Sequence, residues 1–154
     1  MNIRGKLIII GGAVDKGSFT ETDLDKSAAK NLNFFEAGIL KRIIDESKHK
    51  GASRIEVVTT ASKIPKEIGP EYVKALHYLG ADNVDVLNIE RREQAMDQEI
   101  LDRLKAADVV MFTGGDQLRL TSILGGTPFH DILLDKYHNE DLRGNFCWCS
   151  CSFE

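Results

Sequence analysis

The sequence predicts an α/β protein, a three-layer α/β/α arrangement around a mostly parallel sheet. Three observations predict it. Strand-like and helix-like segments alternate four times along the chain. The first strand candidate, Leu7 to Ile10, is an unbroken apolar run, which suits a central strand buried on both faces. The connections between segments are of a length that right-handed crossovers use.

Each element follows in order from local signals. After Ile10 the strand breaks at Gly11-Gly12, and the polar stretch from Lys16 to Lys30 reads as an exposed loop. Its acids Asp23 and Asp25 lack the turn glycine and terminal glutamate of a calcium loop, so a solvated loop is the reading. A helix is expected from about Asn31 to Lys50, with Phe34, Phe35, Gly38, Ile39, Arg42 and Ile43 forming one stripe at three- and four-residue spacings. Lys48 and Lys50 suit its last turn, and Gly51 its stop. RIEVVTTAS (Arg54 to Ser62) is the second strand with its loop. The next helix runs from Glu67 to Gly80, with Pro70 expected in its first turn. Asn83 to Ile89 alternates as a third strand, and Asp97 to Asp108 is a short amphipathic helix. Val109 to Gly115 gives the fourth strand and its loop. Asp116 to Gly126 and Thr127 to Asn139 are two further helices, with Thr127-Pro128 as a cap and first-turn pair. The spacing shows no internal repeat.

At 154 residues, 42% hydrophobic and 29% charged, the chain is long enough for one domain with its own core. A net charge of −4 argues against a nucleic-acid partner, because phosphate binding wants a basic face. No run approaches the ~18 apolar residues that span a bilayer, so no membrane partner is expected. The start, MNIRGKLIII, leads into a strand without a cleavage signal, and the expected compartment is the reducing cytoplasm.

In a parallel sheet the ligand lies beyond the carboxyl ends of the strands. That nominates the loops GGAVDKG, TTASKIP, NIERREQ and TGGDQLRL. GGAVDKG is neither a dinucleotide fingerprint nor a phosphate loop, and reads as a tight turn. TTASKIP places the hydroxyls of Thr59, Thr60 and Ser62 at a strand end, as ligand binders, with Thr60 and Ser62 the substrate-binding candidates, or as caps for nearby backbone groups. TGGDQLRL is the strongest signal. Gly114 and Gly115 permit close backbone approach, and the amides of Gly115 and Asp116 are candidate oxyanion donors. Gln117 adds an orientable amide for a substrate. The plainer alternative is a turn followed by Asp116 as a helix cap. The four histidines, His49, His77, His130 and His138, share no metal-ligand spacing, and no serine sits on a strand-to-helix elbow. No catalytic residue, metal ligand or cofactor is assigned.

The blocks IIIGGAVDKG, VVTTASKIPKEIGPEYVKALHYLGA, VDVLNIERREQA and ADVVMFTGGDQLRLTSILGGTPF, in this order, closely resemble the cyanophycinase family of serine peptidases. These are relatives of the aspartyl dipeptidases, peptidase family S51. The resemblance implies a flavodoxin-like, glutamine-amidotransferase-like fold. It also implies hydrolysis of cyanophycin, an aspartate backbone carrying arginines, to β-Asp-Arg dipeptides. One departure is Val14, which stands where the family has an acidic residue before Asp15-Lys16, so no role is carried over to that loop. In the family the next strand ends in GTSAGA, whose serine is the nucleophile, and a histidine and an acidic partner follow much later.

This chain has no GTSAGA. In its place stands RGNFCWCSCS, holding all three cysteines (Cys147, Cys149, Cys151) and the one tryptophan, Trp148. Three thiols at C-x-C-x-C spacing lack the fourth ligand and the C-x₂-C spacing of a zinc site. A naturally short paralogue is the other rival reading, and degenerate codons explain the tail better than either. Moved on by one nucleotide, Arg-Gly permits Ala, Gly-Asn permits Gly, Asn-Phe permits Thr, and Phe-Cys gives Phe or Ser. Trp before Cys forces Gly, and each remaining Cys gives Val or Ala. A permitted reading is Ala-Gly-Thr-Ser-Ala-Gly-Ala-Ala, with the serine at Phe146. The expectation is therefore an N-terminal part of a cyanophycinase-like domain over residues 1–142, its C-terminal half missing. Residues 143–154 are expected to be an aberrant tail from a single-nucleotide slip between His138 and Arg143, and the peptidase to be inactive. The last sheet strand would then be an unpaired edge, along which the tail can pair, and self-association into a homo-oligomer is expected. The alternative is a non-catalytic α/β module binding an acidic or amide ligand.

Overall fold

The structure, a computed structural model, describes residues 6–10, 34–139 and 145–149. Five strands form one parallel sheet: β1 (Lys6–Ile10), β2 (Arg54–Val58), β3 (Asn83–Leu87), β4 (Val109–Phe112) and β5 (Asn145–Cys149). Their order across the sheet is β1-β5-β4-β2-β3. Among the described residues five α-helices connect or flank them: α1 (Phe34–Glu46), α2 (Pro65–Tyr78), α3 (Gln98–Ala106), α4 (Gln117–Leu124) and α5 (Pro128–Asn139).

The alternation of strand residues builds two cores, one on each face of the sheet. Ile55, Val57, Val109 and Met111 point to one side, where Leu40, Ile43 and Ile44 of α1 and Tyr72 and Leu76 of α2 cover them. Val58, Val110 and Phe112 point to the other, against Leu101 and Leu104 of α3, Leu120 and Leu124 of α4 and Phe129 of α5. Helices on both faces of a parallel sheet are the three-layer arrangement that the alternating segments predict.

The centre of the sheet also buries a charge. Glu56 points to the α3 side at 0% exposure, and its Oε2 accepts from Arg103 Nη2 at 2.7 Å. Its Oε1 accepts from Arg54 at 3.0 Å and from Arg103 Nε at 3.3 Å, so both carboxylate oxygens are occupied. Burial alone would lower the Arg103 pKa. The hydrogen bond and charge of Glu56, with Asp85 and Glu99 nearby, outweigh it and raise that pKa above the ordinary arginine value.

Several expectations need correction. Among the described residues β1 is an edge strand, not a central one: it pairs there only with β5, and Leu7 and Ile9 are 50% and 73% exposed. An apolar run signals a good strand but does not say that helices cover both of its faces. β4 is not an edge. The tail segment β5 lies along it from Val109↔Asn145 to Phe112↔Trp148, and bonds β1 on its other side. The expected pairing of the tail therefore occurs, between two strands.

On α1, Ile43 of the expected stripe is buried, but Leu40 and Ile44 are buried with it and Arg42 is exposed, so the stripe is rotated from the expected one. Pro70 lies inside α2, whose first residue is Pro65. The hydrogen bond that Pro70 cannot donate would have gone to the carbonyl of the exposed Lys66, which water can solvate. The Thr127 hydroxyl donates back to the Leu124 carbonyl at 2.6 Å, closing the turn between α4 and α5. The GGAVDKG loop and the acids Asp23 and Asp25 lie outside the described residues.

Candidate functional site

The carboxyl ends of β2 and β4 are joined beyond the sheet ladder. Thr113 N donates to the Val58 carbonyl at 3.0 Å, and Asp116 N donates to the Ala61 carbonyl at 2.8 Å. These two bonds clamp the loops TTAS and TGGD together. The clamp depends on Gly115, whose φ is +151° and which passes directly over Ala61. A Cβ at this position would collide with the Ala61 carbonyl, so only glycine fits.

Past the clamp, Asp116 caps α4. Its carboxylate accepts from Leu118 N at 2.8 Å and from Arg119 N at 3.1 Å. Both its amide and its carboxylate therefore already have partners, which is the plainer of the two readings of this residue. The Gly115 amide has no hydrogen-bond partner among the described residues. Gln117, the first residue of α4, is exposed beside it.

The hydroxyl candidates behave differently from each other. Ser62 is buried, and its Oγ accepts from Ile64 N at 3.1 Å, shaping the turn into α2. Thr60 is 1% exposed and its hydroxyl has no partner among the described residues. Thr59, also buried, donates to Asn88 Oδ1 at 3.1 Å, and Asn88 Nδ2 donates to Glu90 Oε1 at 3.0 Å. That chain ties the ends of β2 and β3 together. The NIERREQ loop then closes on itself, because Gln94 Oε1 accepts from Glu90 N at 2.8 Å and Arg91 N at 2.9 Å. Arg92 donates to the Ser122 carbonyl at 3.0 Å, fastening this loop to α4.

Sequence reasoning singled out neither Thr113 nor Arg119. The Thr113 hydroxyl is buried without a partner among the described residues at the end of β4, and so is Arg119 Nε in the first turn of α4. Their signal was present in TGGDQLRL, but only burial distinguishes a threonine that caps a turn from one left unbonded. The histidines lie elsewhere. His49 meets Asp108 at 3.2 Å, both just before strands and so at the opposite end of the sheet, and His77 reaches the Ala81 carbonyl at 2.7 Å. An open hollow of about 460 Å³ between β1 and α1, lined by residues such as Leu7, Ile8, Ile39, Ile43 and Arg42, shares no residue with the clamped loops. No helix among the described residues is long and apolar enough to cross a membrane.

Comparison with known proteins places this geometry in a family. A cyanophycinase of Trichormus variabilis is 36% identical over 94 residues, which are 60% of this chain and 32% of that protein. A cyanophycinase of Geminocystis herdmanii is 30% identical over 126 residues, 82% of this chain and 40% of that protein. The chain thus spans less than half the length of these curated relatives. The crystal structure of a peptidase from an acI-B1 Actinobacterium superimposes with a TM-score of 0.71 at 20% identity, covering 96% of this chain and 54% of that one, and shows the same fold. The model of peptidase family S51 matches residues 27–142, the segment that contains both clamped loops, and the chain belongs to that family.

Proposed function

We propose that the clamped loops are the peptide-binding rim of a serine-type exopeptidase acting on cyanophycin and releasing β-Asp-Arg dipeptides. The observation that carries this reading is the Gly115 amide, unpartnered among the described residues at a strand's carboxyl end while its neighbour Asp116 is bonded to Ala61. Such an amide can donate to a scissile carbonyl, and the bond strengthens as that oxygen gains charge, contributing about 3 kcal/mol when a nucleophile attacks. Gln117 is the substrate-facing amide, and Thr60 belongs to the same pair of loops. Ser62 and Asp116 hold the loops in shape. The names of the relatives supply the substrate class.

The nucleophile is proposed to be lost in this chain. Residues 143–154 read as the family's elbow shifted by one nucleotide, with Phe146 in the position of the serine. A phenyl ring has no proton to give up and no lone pair to attack with, so the chain holds peptide without cleaving it. The protein is proposed to be cytoplasmic and to self-associate through the exposed β1 edge.

The test is calorimetric titration of the purified chain with β-Asp-Arg dipeptide, with a cyanophycin hydrolysis assay alongside. Binding without turnover is expected. Absence of binding would overturn the peptide rim, and hydrolysis by the purified chain would overturn the loss of the nucleophile.

A further inference from the structure

Three buried side-chain atoms among the described residues lack a hydrogen-bond partner: Thr60 Oγ1, Thr113 Oγ1 and Arg119 Nε. Buried polar groups are normally satisfied, and one that is not destabilises the fold. These three are not scattered. Thr60 adjoins Ala61, whose carbonyl holds the Asp116 amide; Thr113 opens the same loop, and Arg119 closes its capped turn. All can donate, and Arg119 Nε can only donate.

Arg119 is also on the wrong end of its helix for a structural cation. The N-terminal turn carries the positive pole of the helix dipole, where an acid is favourable and a cation is not. Helices α2, α3 and α5 obey this rule with Glu67, Glu99 and Asp131 in their first turns. Helix α4 has no acid there, and the Asp116 carboxylate oxygen at its cap is engaged by two backbone amides. Among the described residues Arg119 makes no salt bridge. The guanidinium, the helix pole, the two unpartnered hydroxyls and the Gly115 amide all belong to the two clamped loops and the first turn of α4, and each can donate to an acceptor on a ligand.

From this we infer that Arg119 is a substrate-positioning residue that pairs with a free carboxylate of the bound aspartyl peptide. The inference rests on the peptide-rim reading and adds to it the group on the peptide that is recognised. A planar guanidinium matches a carboxylate with parallel hydrogen bonds, which a lysine ammonium cannot reproduce.

The experiment compares β-Asp-Arg dipeptide with the same dipeptide carrying its carboxylates as amides. Both are titrated by calorimetry into the wild-type chain, Arg119→Gln and Arg119→Lys, with folding of each variant checked by circular dichroism. Wild type should bind the acid at least about tenfold more tightly than the amide, since a hydrogen bond to a charged group is worth that much. Arg119→Gln should lose that preference, the acid weakening by clearly more than the amide, and Arg119→Lys should keep part of it. Equal binding of acid and amide by wild type overturns the inference without any variant, as does an equal loss of both ligands in Arg119→Gln. If wild type binds neither ligand, the peptide rim itself falls and this assignment with it.

Discussion

The Asp116 amide donates to the Ala61 carbonyl at 2.8 Å, joining two loops that follow different strands and lie far apart in sequence. Gly115 makes that approach possible. Its backbone runs so close to Ala61 that no side chain can be accommodated, and its positive φ adds a second reason for glycine.

Gly115→Ala should therefore cost well over the ~1 kcal/mol that an ordinary positive-φ glycine loses on substitution. Gly80→Ala is the internal control, since Gly80 has φ +93° but nothing within 4 Å of the methyl that alanine would add. Urea titration of the two variants separates strain from collision. Gly80→Ala should lose about 1 kcal/mol and Gly115→Ala at least about twice that, and equal losses would refute the clamp.

Arg103 holds Glu56 in the sheet interior through both carboxylate oxygens and also donates to the Val86 carbonyl at 3.2 Å. Arg103→Ala leaves Glu56 buried, with Arg54 still donating to its Oε1. Removing one partner of a buried pair costs about 3–5 kcal/mol, and the partial exposure of Arg103 reduces that to about 2–3 kcal/mol. Chemical denaturation monitored by far-ultraviolet circular dichroism checks it. A loss below about 0.5 kcal/mol, the scale of an exposed pair, would show that the network does not stabilise the sheet.

What the sequence revealed and what it hid follow from the range of the forces involved. A cap such as Asp116 and a first-turn proline such as Pro128 act within one turn, so those elements are legible. Asp97 accepts from Glu99 N at 2.9 Å just before α3, where the apolar period begins. Position within the sheet is a long-range property. Nothing in KLIII says that β1 lies at the edge, because the local pattern of a covered and a bare apolar strand is the same. The site divides in the same way. TGGDQ announces a glycine turn and a cap, but the collision of Gly115 with Ala61 and the unbonded Thr113 depend on β2 and its loop, far earlier in the chain.

Lys6 of β1 and Glu46 at the end of α1 meet at 2.7 Å and tie the edge strand to its helix. The hydrogen bond to Lys6 and its charge, aided by Arg42, hold the Glu46 carboxyl below its usual value. A depressed carboxyl stabilises the fold above its unfolded pKa and loses that contribution as pH falls through the folded one. The stability difference between wild type and Glu46→Gln should therefore be present at neutral pH and vanish on acidification through and below the carboxylate range. Added salt should shrink it, because both side chains are solvent-exposed. A difference that persists in acid would mean that the Glu46 effect is packing and not charge.

Leu7 and Ile9 project from the same side of β1, two residues apart, onto a face that leaves both exposed. The strand also carries an outer row of backbone groups, since among the described residues its neighbour in the sheet is β5 alone. A bare apolar face beside an open edge is the combination that draws strands from separate molecules together. The chain should associate in a concentration-dependent way that sedimentation velocity resolves. Ile9→Lys places a charge on the more exposed of the two positions, where it meets solvent in the monomer but a desolvated apolar partner in any edge-to-edge assembly. It should shift the distribution to monomer while leaving the circular dichroism spectrum unchanged, because Ile9 contributes little to the buried core. A wild-type chain that stays monomeric at every concentration tested, or an Ile9→Lys variant that associates as strongly, would remove β1 as the contact surface.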